Sequence, residues 1–377
     1  MLWKPVFIHF LLRAFQRFSY LLSSGGLFFI FVLFPVDFMN HSTTKRLWRD
    51  LPRPFQVLAP MEDVTDTVFR RVVAASGRPD VFFSEFTGVD GLCGPQSQRI
   101  GRRLHYTPAE TPIVVQIWGN NPENYAAVVP RLTEMGFSGI DINMGCPIRK
   151  LTRKGFCSAL IENRSLASEI IHATRENAGP LPVSVKTRIG FRTRATEAWI
   201  GFLLEHSLDA LTVHGRIARQ MSEGEADWNA VAECVRLRNE LAPETVVIGN
   251  GDVRSQAEVA KRVDESGVDG VMIGRGIFEN LYIFRRDGSS FDSVPDMDRV
   301  MALRRHFRLH RRQWGDRRNY HALKKFVKMY MGAGEHVADF TDSVLHSRDY
   351  AHGARLIDDY LASLRTDKEV VGNETDG

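Results

Sequence analysis

Eight short apolar runs, separated by segments with helical periodicity, constrain the fold of this chain more than any other feature of its sequence. They begin near residues 57, 81, 113, 140, 183, 210, 246 and 270, at spacings of 24 to 43 residues. Helical periodicity occupies residues 122–135, 165–176, 227–241 and 255–266. Eight strands alternating with helices predict an α/β fold, a (β/α)8 or TIM barrel. A doubly wound sheet is the competitor, but it rarely needs eight repeats, and no GxGxxG follows the first strand.

The predicted barrel occupies residues 51–285, and a small all-helical domain follows at 286–365. From Leu281 to Tyr330 there are 13 Lys and Arg against 5 Asp and Glu. Such a concentration of positive charge fits a polyanionic partner, although a solvated helical face accounts for the same composition. Residues 366–377 are acid-rich and predict a disordered tail.

The pattern inside this second domain predicts three helices. Residues 296–314 place apolar side chains near one helical face and arginines around the rest. The apolar residues are Val300, Leu303, Phe307 and Trp314, and the arginines are Arg304, Arg305, Arg308, Arg311 and Arg312. A second segment covers residues 320–330 and carries Lys324, Lys325 and Lys328, and a third helix from about residue 343 to 364 completes a small bundle.

Residues 1–50 form an apolar and basic N-terminal extension. Residues 18–36 carry no charge and are rich in Leu and Phe, with Lys4, Arg13 and Arg17 before them and Asp37 as the first acid. A membrane anchor, a signal-like segment and a targeting sequence all share this composition. Export would separate the predicted barrel from the partners proposed below, so we favour translation from Met39 and expect no stable membrane association.

Cysteine usage argues against two classes of site, whereas the net charge excludes no class of protein. Four cysteines occur without a CxxC pair, which predicts neither a disulfide framework nor a zinc site and favours a reducing compartment. No metal site is predicted. The formal net charge is only +4, so overall charge says little about the partner.

The stretch with the most chemical content runs from Asp141 to Pro147, across the end of the fourth predicted strand. Its cysteine, Cys146, stands between glycine and proline on a predicted turn and carries a proton whose affinity is easily tuned. Asn143 offers an amide donor and a carbonyl acceptor to a planar ring. A small apolar cysteine that fills a gap in the core is the plain alternative.

Further candidate residues follow the other predicted strands, where barrel enzymes carry their chemistry. They are Pro60, Met61 and Glu62 after strand one, Gln116 in strand three, Lys186 at the end of strand five, His214 at the end of strand six, Asn250, Gly251 and Asp252 after strand seven, and Gly274 and Arg275 after strand eight. The glycines of loops seven and eight predict a phosphate-binding corner, unless they merely turn the chain. Burial of an unpaired ammonium is costly, so Lys186 must either form a structural ion pair or contact a ligand. His214 is either a functional residue or a hydrogen-bonded core residue.

The ordered set of motifs resembles the tRNA-dihydrouridine synthases, flavoenzymes that reduce particular uridines in tRNA. The resemblance rests on residues 143–147, 149–150 and 153–155, and on further stretches at 59–66, 115–117, 185–190, 211–216, 249–252 and 274–276. It covers roughly residues 55–285 and continues more weakly to about 330. Residues 322–330 are similar to the family's C-terminal helical motif, with Phe326 where the family often has histidine.

The resemblance implies a cofactor, a reaction and a set of roles. FMN, reduced by NADPH, delivers hydride from N5 to C6 of the uracil ring, while Cys146 protonates C5. Similarity to the family puts these residues around FMN: Pro60, Met61, Glu62, Gln116, Lys186, His214, Asn250, Gly251, Asp252, Gly274 and Arg275. Asn143 and Arg188 are expected at the base, and Lys150 and Lys154 at nearby phosphates, unless those lysines are merely solvated. The expected enzyme is a cytoplasmic monomer that binds tRNA.

Two other functions remain open from the sequence. An FMN barrel that reduces a free pyrimidine or an enone explains the phosphate corner and Lys186 but leaves the basic helical domain without a task. A non-catalytic tRNA-binding protein explains that domain but not the combination of Cys146, Lys186 and the loop glycines.

Overall fold

The structure, a computed structural model, describes residues 46–332 and 334–374 of the chain. Its strands form one parallel sheet in the order β1-β9-β8-β7-β6-β5-β4-β2, with β3 beside β4. The strands are β1 (Phe55–Leu58), β2 (Phe82–Phe83), β3 (Thr87–Gly88), β4 (Ile113–Trp118), β5 (Gly139–Met144), β6 (Val183–Arg188), β7 (Ala210–His214), β8 (Val246–Asn250) and β9 (Gly270–Ile273).

A parallel bridge between Val57 and Val81 joins β1 to β2 and closes the sheet into a ring. The second barrel strand is split, because β2 and β3 both pair with β4. Between these two pieces the hydroxyl of Ser84 accepts the backbone N–H of Gln116 at 3.1 Å. The barrel therefore has the eight strand positions that the sequence predicts, and the (β/α)8 prediction is confirmed.

Helices cover the outside of the ring and continue beyond it. Before and within the barrel they are α1 (Leu47–Asp50), α2 (Thr67–Ser76), α3 (Val89–Cys93), α4 (Ser97–Gly101), α5 (Pro122–Glu134), α6 (Arg149–Thr152), α7 (Arg164–Asn177), α8 (Thr196–Leu204), α9 (Trp228–Leu241) and α10 (Gln256–Ser266). After the barrel they are α11 (Asp296–Trp314), α12 (Val327–Met331), α13 (Ala338–His346) and α14 (Tyr350–Glu374). Short 3-10 helices lie between them, including Cys157–Glu162 and Arg275–Phe278.

Two hydrophobic clusters separate the inside of the barrel from its outer shell. The inner cluster contains Trp48, which packs on Phe55 and Phe83 with ring centroids 6.0 and 6.2 Å away. Strand residues of alternate parity, such as Ile140 and Ile142, belong to the outer cluster beneath the helices. Successive strand residues face opposite sides of the sheet. On β4, β5 and β6, the alternate residues that do not face the helices therefore point into the barrel, and they include polar side chains.

The C-terminal helices share the outer core with the barrel. Phe326 stacks on Phe69 of α2 with ring centroids 5.2 Å apart, and Val300, Leu303 and Phe307 of α11 are fully buried. The predicted helix at 296–314 therefore lies where its apolar face requires, against α2 and α14.

Two predictions for the C-terminal region differ from the structure. The helix predicted at about 343–364 is interrupted after His346, because Ser347 turns the chain and Asp349 caps the next helix by accepting the N–H of His352 at 2.8 Å. Disorder was predicted from residue 366, yet α14 continues through Glu374. Residues 366–371 contain neither glycine nor proline, so nothing in them stops the helix.

The uncharged segment 18–36, the possible start at Met39 and residues 375–377 lie outside the described residues. Within the described part of the chain, none of the helices has the length and apolar character needed to span a bilayer.

Candidate active site

A cationic cavity of about 340 Å³ opens at the carboxyl ends of the strands. Nine of the eleven residues expected at the cofactor line it, together with Arg188, one of the residues expected at the base. The nine are Pro60, Met61, Lys186, His214, Asn250, Gly251, Asp252, Gly274 and Arg275. Residues from five different strand ends thus meet in one place, as the fold predicts for a barrel rim.

The seventh and eighth loops are packed too closely for side chains at their glycines. A Cβ at Gly276 would lie 2.1 Å from the backbone oxygen of Val253. Gly251 has φ of +134°, and a Cβ there would lie 2.6 Å from the side chain of Ala226. Glycine therefore lets the eighth loop pack on the seventh, and the seventh on Ala226 of the loop after β7, at the cavity wall.

Arginines surround the carboxylate of Asp252 on this side of the cavity. Arg216 donates to it at 2.5 Å, Arg275 approaches it at 3.5 Å, and the N–H of Ala226 donates at 2.8 Å. These partners outweigh the effect of burial and lower the pKa of Asp252. Since Arg254 also lines the cavity, cations outnumber carboxylates there, and the corner suits an anion.

Lys186 lies on the floor of the cavity and has one hydrogen-bond partner among the residues that the structure describes. Its ammonium donates to Oδ1 of Asn250 at 3.0 Å, which leaves two N–H groups for a ligand. Burial, followed by the charge of Arg188, lowers the pKa of Lys186 to about 8. Asp141 favours the charged form, so Lys186 is a cation whose proton is held less firmly than usual.

His214 ends β7 as a neutral imidazole. Burial is the largest cause that moves its pKa well below the ordinary value, and nearby cations act in the same direction. Arg216 Nη1 lies 3.2 Å from His214 Nε2. Because guanidinium can only donate, Nε2 accepts and Nδ1 carries the hydrogen.

The Cys146 loop is held from both sides by hydrogen bonds. Asn143 Oδ1 accepts the N–H groups of Gly145 and Cys146 at 3.0 and 2.9 Å. The carbonyl of Cys146 accepts from the hydroxyl of Ser158 at 2.9 Å and from its N–H at 3.3 Å. The backbone of Cys146 is therefore clamped between the end of β5 and the 3-10 turn that begins at Cys157.

The thiol of Cys146 is partly exposed and has an unusual acidity. A hydrogen bond from the buried thiol of Cys157 is the largest cause that lowers its pKa to about 7. The N–H of Ile148 and the charge of Arg188 add to this effect, and burial opposes it. The same contact and burial raise the pKa of Cys157, so the proton stays on Cys157 while Cys146 exchanges its own.

Arg188 connects the cavity to the Cys146 loop. Its Nε donates to the carbonyl of Gly145 at 2.8 Å, and its Nη1 donates to that of Ile217 at 3.1 Å. Since Arg188 also lines the cavity, one side chain spans the distance between the cationic corner and the reactive thiol.

Comparison with known proteins decides the family. The family model described as "Dihydrouridine synthase (Dus)" matches residues 57–350. The chain belongs to the dihydrouridine synthase family.

Relatives of the family match over nearly their whole length. A Bacillus subtilis protein named "Probable tRNA-dihydrouridine synthase 2" is 40% identical over 321 residues, covering 84% of this chain and 97% of that protein. A Staphylococcus aureus protein named "Probable tRNA-dihydrouridine synthase" is 37% identical over 329 residues, covering 86% and 99%. A solved morphinone reductase in complex with tetrahydroNAD covers 65% of this chain and 90% of its own at 14% identity and a TM-score of 0.45, and nothing about function follows from it. The family resemblance of the motifs is confirmed.

Six predicted site residues are not in the cavity lining: Cys146 and Asn143, whose loop is described above, and Glu62, Gln116, Lys150 and Lys154. Glu62 pairs with Arg103, and burial raises the pKa of this carboxyl. Gln116 is fully buried inside the barrel and bonded to other side chains. Lys150 and Lys154 are exposed at and just beyond α6, close in sequence to Cys146.

Sequence reasoning missed three residues that shape the site. Arg216 lines the cavity and holds both Asp252 and His214. It stands two residues after His214 in the same motif, which was the available signal. Met221, with φ of +54°, lines the same cavity, and Cys157 contacts the reactive thiol. Both lie in loops whose course the sequence does not reveal.

The chemistry of the cavity fits FMN, the cofactor that membership in this family implies. Its phosphate matches the arginine and glycine corner, and the carbonyl edge of its ring matches the unused N–H groups of Lys186. Thr212, the register partner of Lys186 on β7, has a fully buried hydroxyl without a hydrogen-bond partner in the described part of the chain. The residues present are thus those that would hold such a group.

Proposed function

We propose that the protein is an FMN-dependent tRNA-dihydrouridine synthase that reduces the C5–C6 double bond of uridine in tRNA, with NADPH as reductant. The observation that carries the proposal is the link through Arg188, which joins a cavity suited to a flavin to a loop that presents an acidic thiol. Bound FMN would supply the hydride for C6 of the ring.

Cys146 holds the proton that the reaction needs at C5. A thiol with a pKa of about 7 is partly protonated at neutral pH and gives up its proton readily, as a general acid requires. Cys157 accepts nothing in this step but stabilises the thiolate left behind by donating a hydrogen bond to it.

Cations of the cavity orient the reacting groups. Lys186 would favour negative charge on the reduced cofactor, and Arg216 and Arg275 would hold its phosphate. Arg188 has donors left after its two backbone bonds, and Asn143 keeps one amide hydrogen, so both can bind carbonyl groups of the uracil base.

The C-terminal helical region, residues 286–365, is proposed to bind tRNA. An arginine groove of about 760 Å³ lies between α2, α11 and α14 and is lined by Arg285, Arg304, Arg305, Arg308, Arg312 and Arg365. Among the described residues, Asp298 is the one acidic residue in its lining. Phosphate groups of RNA match such a surface, and Lys150 and Lys154 extend the positive charge toward the Cys146 loop.

The target uridine must leave its stack to reach the thiol, since the cavity lies within the barrel mouth. We place the reaction in the cytoplasm, where tRNA and NADPH are available, and expect a monomer to suffice.

The test uses the purified protein, with its bound flavin identified, NADPH and tRNA from a strain that lacks dihydrouridine. Nucleoside mass spectrometry should detect dihydrouridine with the native protein and at least 100-fold less, on the order of a lost general acid, with Cys146→Ala. Reduction of free uracil without reduction of tRNA would replace the proposal with a small-molecule reductase.

A further inference from the structure

Asp141 is a buried carboxylate that the proposed chemistry leaves without a task. It lies on β5 two residues before Asn143 and is fully buried. Its oxygens accept from Gln116 Nε2 at 2.7 Å and from Ser184 Oγ at 2.6 Å. Burial raises its pKa to about 6, against the effect of those two hydrogen bonds and of Lys186. A carboxyl group placed at such a cost inside a barrel calls for a function.

The sheet register puts this carboxylate in the middle of a polar row. Asp141 is the direct partner of Gln116 on β4 and of Ser184 on β6. All three side chains are buried, and they alternate with residues of the outer core, so they point into the barrel. The row lies one layer below Asn143 and Lys186, which are register partners of each other.

A continuous chain of hydrogen bonds leads from Asp141 to the reactive cysteine. Gln116 donates its amide hydrogen to Asp141 and accepts at Oε1 from Asn143 Nδ2, 3.0 Å away. Asn143 then accepts at Oδ1 from the N–H groups of Gly145 and Cys146. Two side-chain amides therefore stand between a carboxylate and two backbone donors.

The two ends of the chain fix the orientation of both amides. An ionised carboxylate can only accept, and a backbone N–H can only donate. If Gln116 were turned round, its oxygen would face Asp141, and its amide hydrogens would face those of Asn143. If Asn143 were turned as well, its amide hydrogens would face the N–H of Cys146. Only the observed orientation satisfies every member of the chain.

We propose that Asp141 is a positioning residue for the Cys146 loop, acting through Gln116 and Asn143 to hold the backbone that carries the thiol. The inference rests on the proposed role of Cys146 as the acid. It requires a hydrogen-bond acceptor at position 141 and does not require the negative charge itself. Displacement of the thiol by as little as 1 Å is enough to slow a proton transfer about 100-fold.

Three variants of the full-length holoprotein separate acceptor from charge. Asp141→Leu has nearly the shape of aspartate but no acceptor. Asp141→Asn keeps an acceptor for Gln116, with its amide hydrogens turned toward the hydroxyl of Ser184. Ser184→Ala is the matched control, because it removes a bond to the same carboxylate that is not part of the chain to Cys146.

The first readout is the rate at which iodoacetamide alkylates Cys146 as a function of pH, followed by peptide mass spectrometry. A shift of half a pKa unit changes this rate about threefold below the pKa. We expect Asp141→Leu to shift the profile by at least that much, and Asp141→Asn and Ser184→Ala to keep the alkylation rate within about twofold of the native rate at pH 6, below the pKa of Cys146. The second readout is dihydrouridine formation, which should fall about 10- to 100-fold in Asp141→Leu alone.

A double-mutant comparison tests whether Asp141 acts on the Cys146 loop through Asn143. If Asp141 acts through Asn143, adding Asp141→Leu to Asn143→Ala changes alkylation no further than Asn143→Ala does by itself. Should Asp141→Leu not fold, Gln116→Leu interrupts the same chain one link nearer the loop and must produce the same shift.

Several outcomes overturn the inference. If Asp141→Leu and Gln116→Leu both keep the native alkylation profile, Asp141 does not position the loop. If Asp141→Leu and Asp141→Asn shift the profile equally, the effect belongs to the charge and not to the acceptor. Failure of the native protein to form dihydrouridine would count against the proposed function instead. The alkylation profile still decides the role of Asp141 in that case, because it needs no turnover.

Discussion

Replacing Cys157 with alanine should make the Cys146 thiol less acidic. The hydrogen bond from Cys157 is the largest cause that holds the pKa of Cys146 at about 7. Alanine removes the sulfur but keeps the Cβ, so the left-handed backbone at this position, with φ of +54°, is equally strained in both proteins. The bonds from Ser158 to the Cys146 carbonyl do not involve the lost group, so the two loops stay joined.

The size of the change follows from the strength of the bond. A hydrogen bond to a charged group contributes roughly 1.5–3 kcal/mol, and one pKa unit corresponds to about 1.4 kcal/mol. Loss of the Cys157 donor should therefore raise the pKa of Cys146 by about one to two units, toward the ordinary thiol value of about 8.5.

The consequence for activity has a definite sign. An acid works only while it is protonated, so the rate of the step that depends on Cys146 falls as pH rises through its pKa. At pH 8 a thiol with a pKa of 7 is about one-tenth protonated, and one with a pKa of 8.5 about three-quarters. Where protonation limits the rate, Cys157→Ala should therefore be several-fold faster than the native protein at pH 8 and similar to it at pH 6.

The assay is the pH dependence of Cys146 alkylation, combined with the pH dependence of dihydrouridine formation. Cys234→Ala is the matched control, since Cys234 is also buried but lies in α9 and bonds to Ala230. An alkylation pKa in Cys157→Ala within about 0.3 units of the native value would refute the reasoning, because the removed bond would then contribute nothing.

Three other perturbations give separate tests. Gly276→Ala puts a Cβ 2.1 Å from a backbone oxygen, so we expect the free energy of unfolding to fall by about 1–3 kcal/mol and less flavin to be retained. Gly101→Ala is the control, because it has open space around it and should change neither quantity. Thermal unfolding and flavin release assays measure the two effects. Burial raises the pKa of Glu85 from 4.5 to about 7, so the stability it contributes is present below pH 4.5 and lost as pH rises through 7. Glu85→Gln should therefore stabilise the protein at pH 8 by up to about 3 kcal/mol and not at pH 4, and equal denaturant midpoints of both proteins at pH 8 would contradict this. Arg304→Glu and Arg308→Glu in the arginine groove should weaken tRNA binding. Each should also reduce the slope of the logarithm of the binding constant against the logarithm of the salt concentration by about one. An unchanged slope in filter-binding measurements would mean that the groove is not part of the tRNA interface.

The fold was predictable because its strongest signals are local. Each predicted strand coincides within a few residues with an observed one, since buried parallel strands are short apolar runs bounded by polar loops. The split between β2 and β3 was not predictable, because it depends on Ser84 bonding to the neighbouring strand. The break after His346 had a signal in Ser347 and Asp349, which are typical turn and capping residues.

The site was predictable only where topology determines it. Strand ends meet at one rim in any such barrel, so residues at strand ends, such as Lys186 and His214, converge from sequence alone. The directions of side chains are set by packing. Gln116, which the family resemblance puts at the cofactor, is hydrogen-bonded inside the barrel to Asp141 and Asn143, an arrangement that the sequence does not reveal. The contact of Cys146 with Cys157 depends on a loop that closes only in three dimensions.

The role of Cys146 as the acid for a reaction on tRNA is the central element of the proposed function. The most direct measurement mixes anaerobically reduced holoprotein with tRNA that lacks dihydrouridine and follows flavin absorbance and dihydrouridine content in a single turnover. We expect rapid reoxidation with stoichiometric dihydrouridine in the native protein. In Cys146→Ala we expect a flavin that NADPH still reduces but that tRNA reoxidises at least about 100-fold more slowly. Equal reoxidation rates and equal product in the two proteins would contradict it.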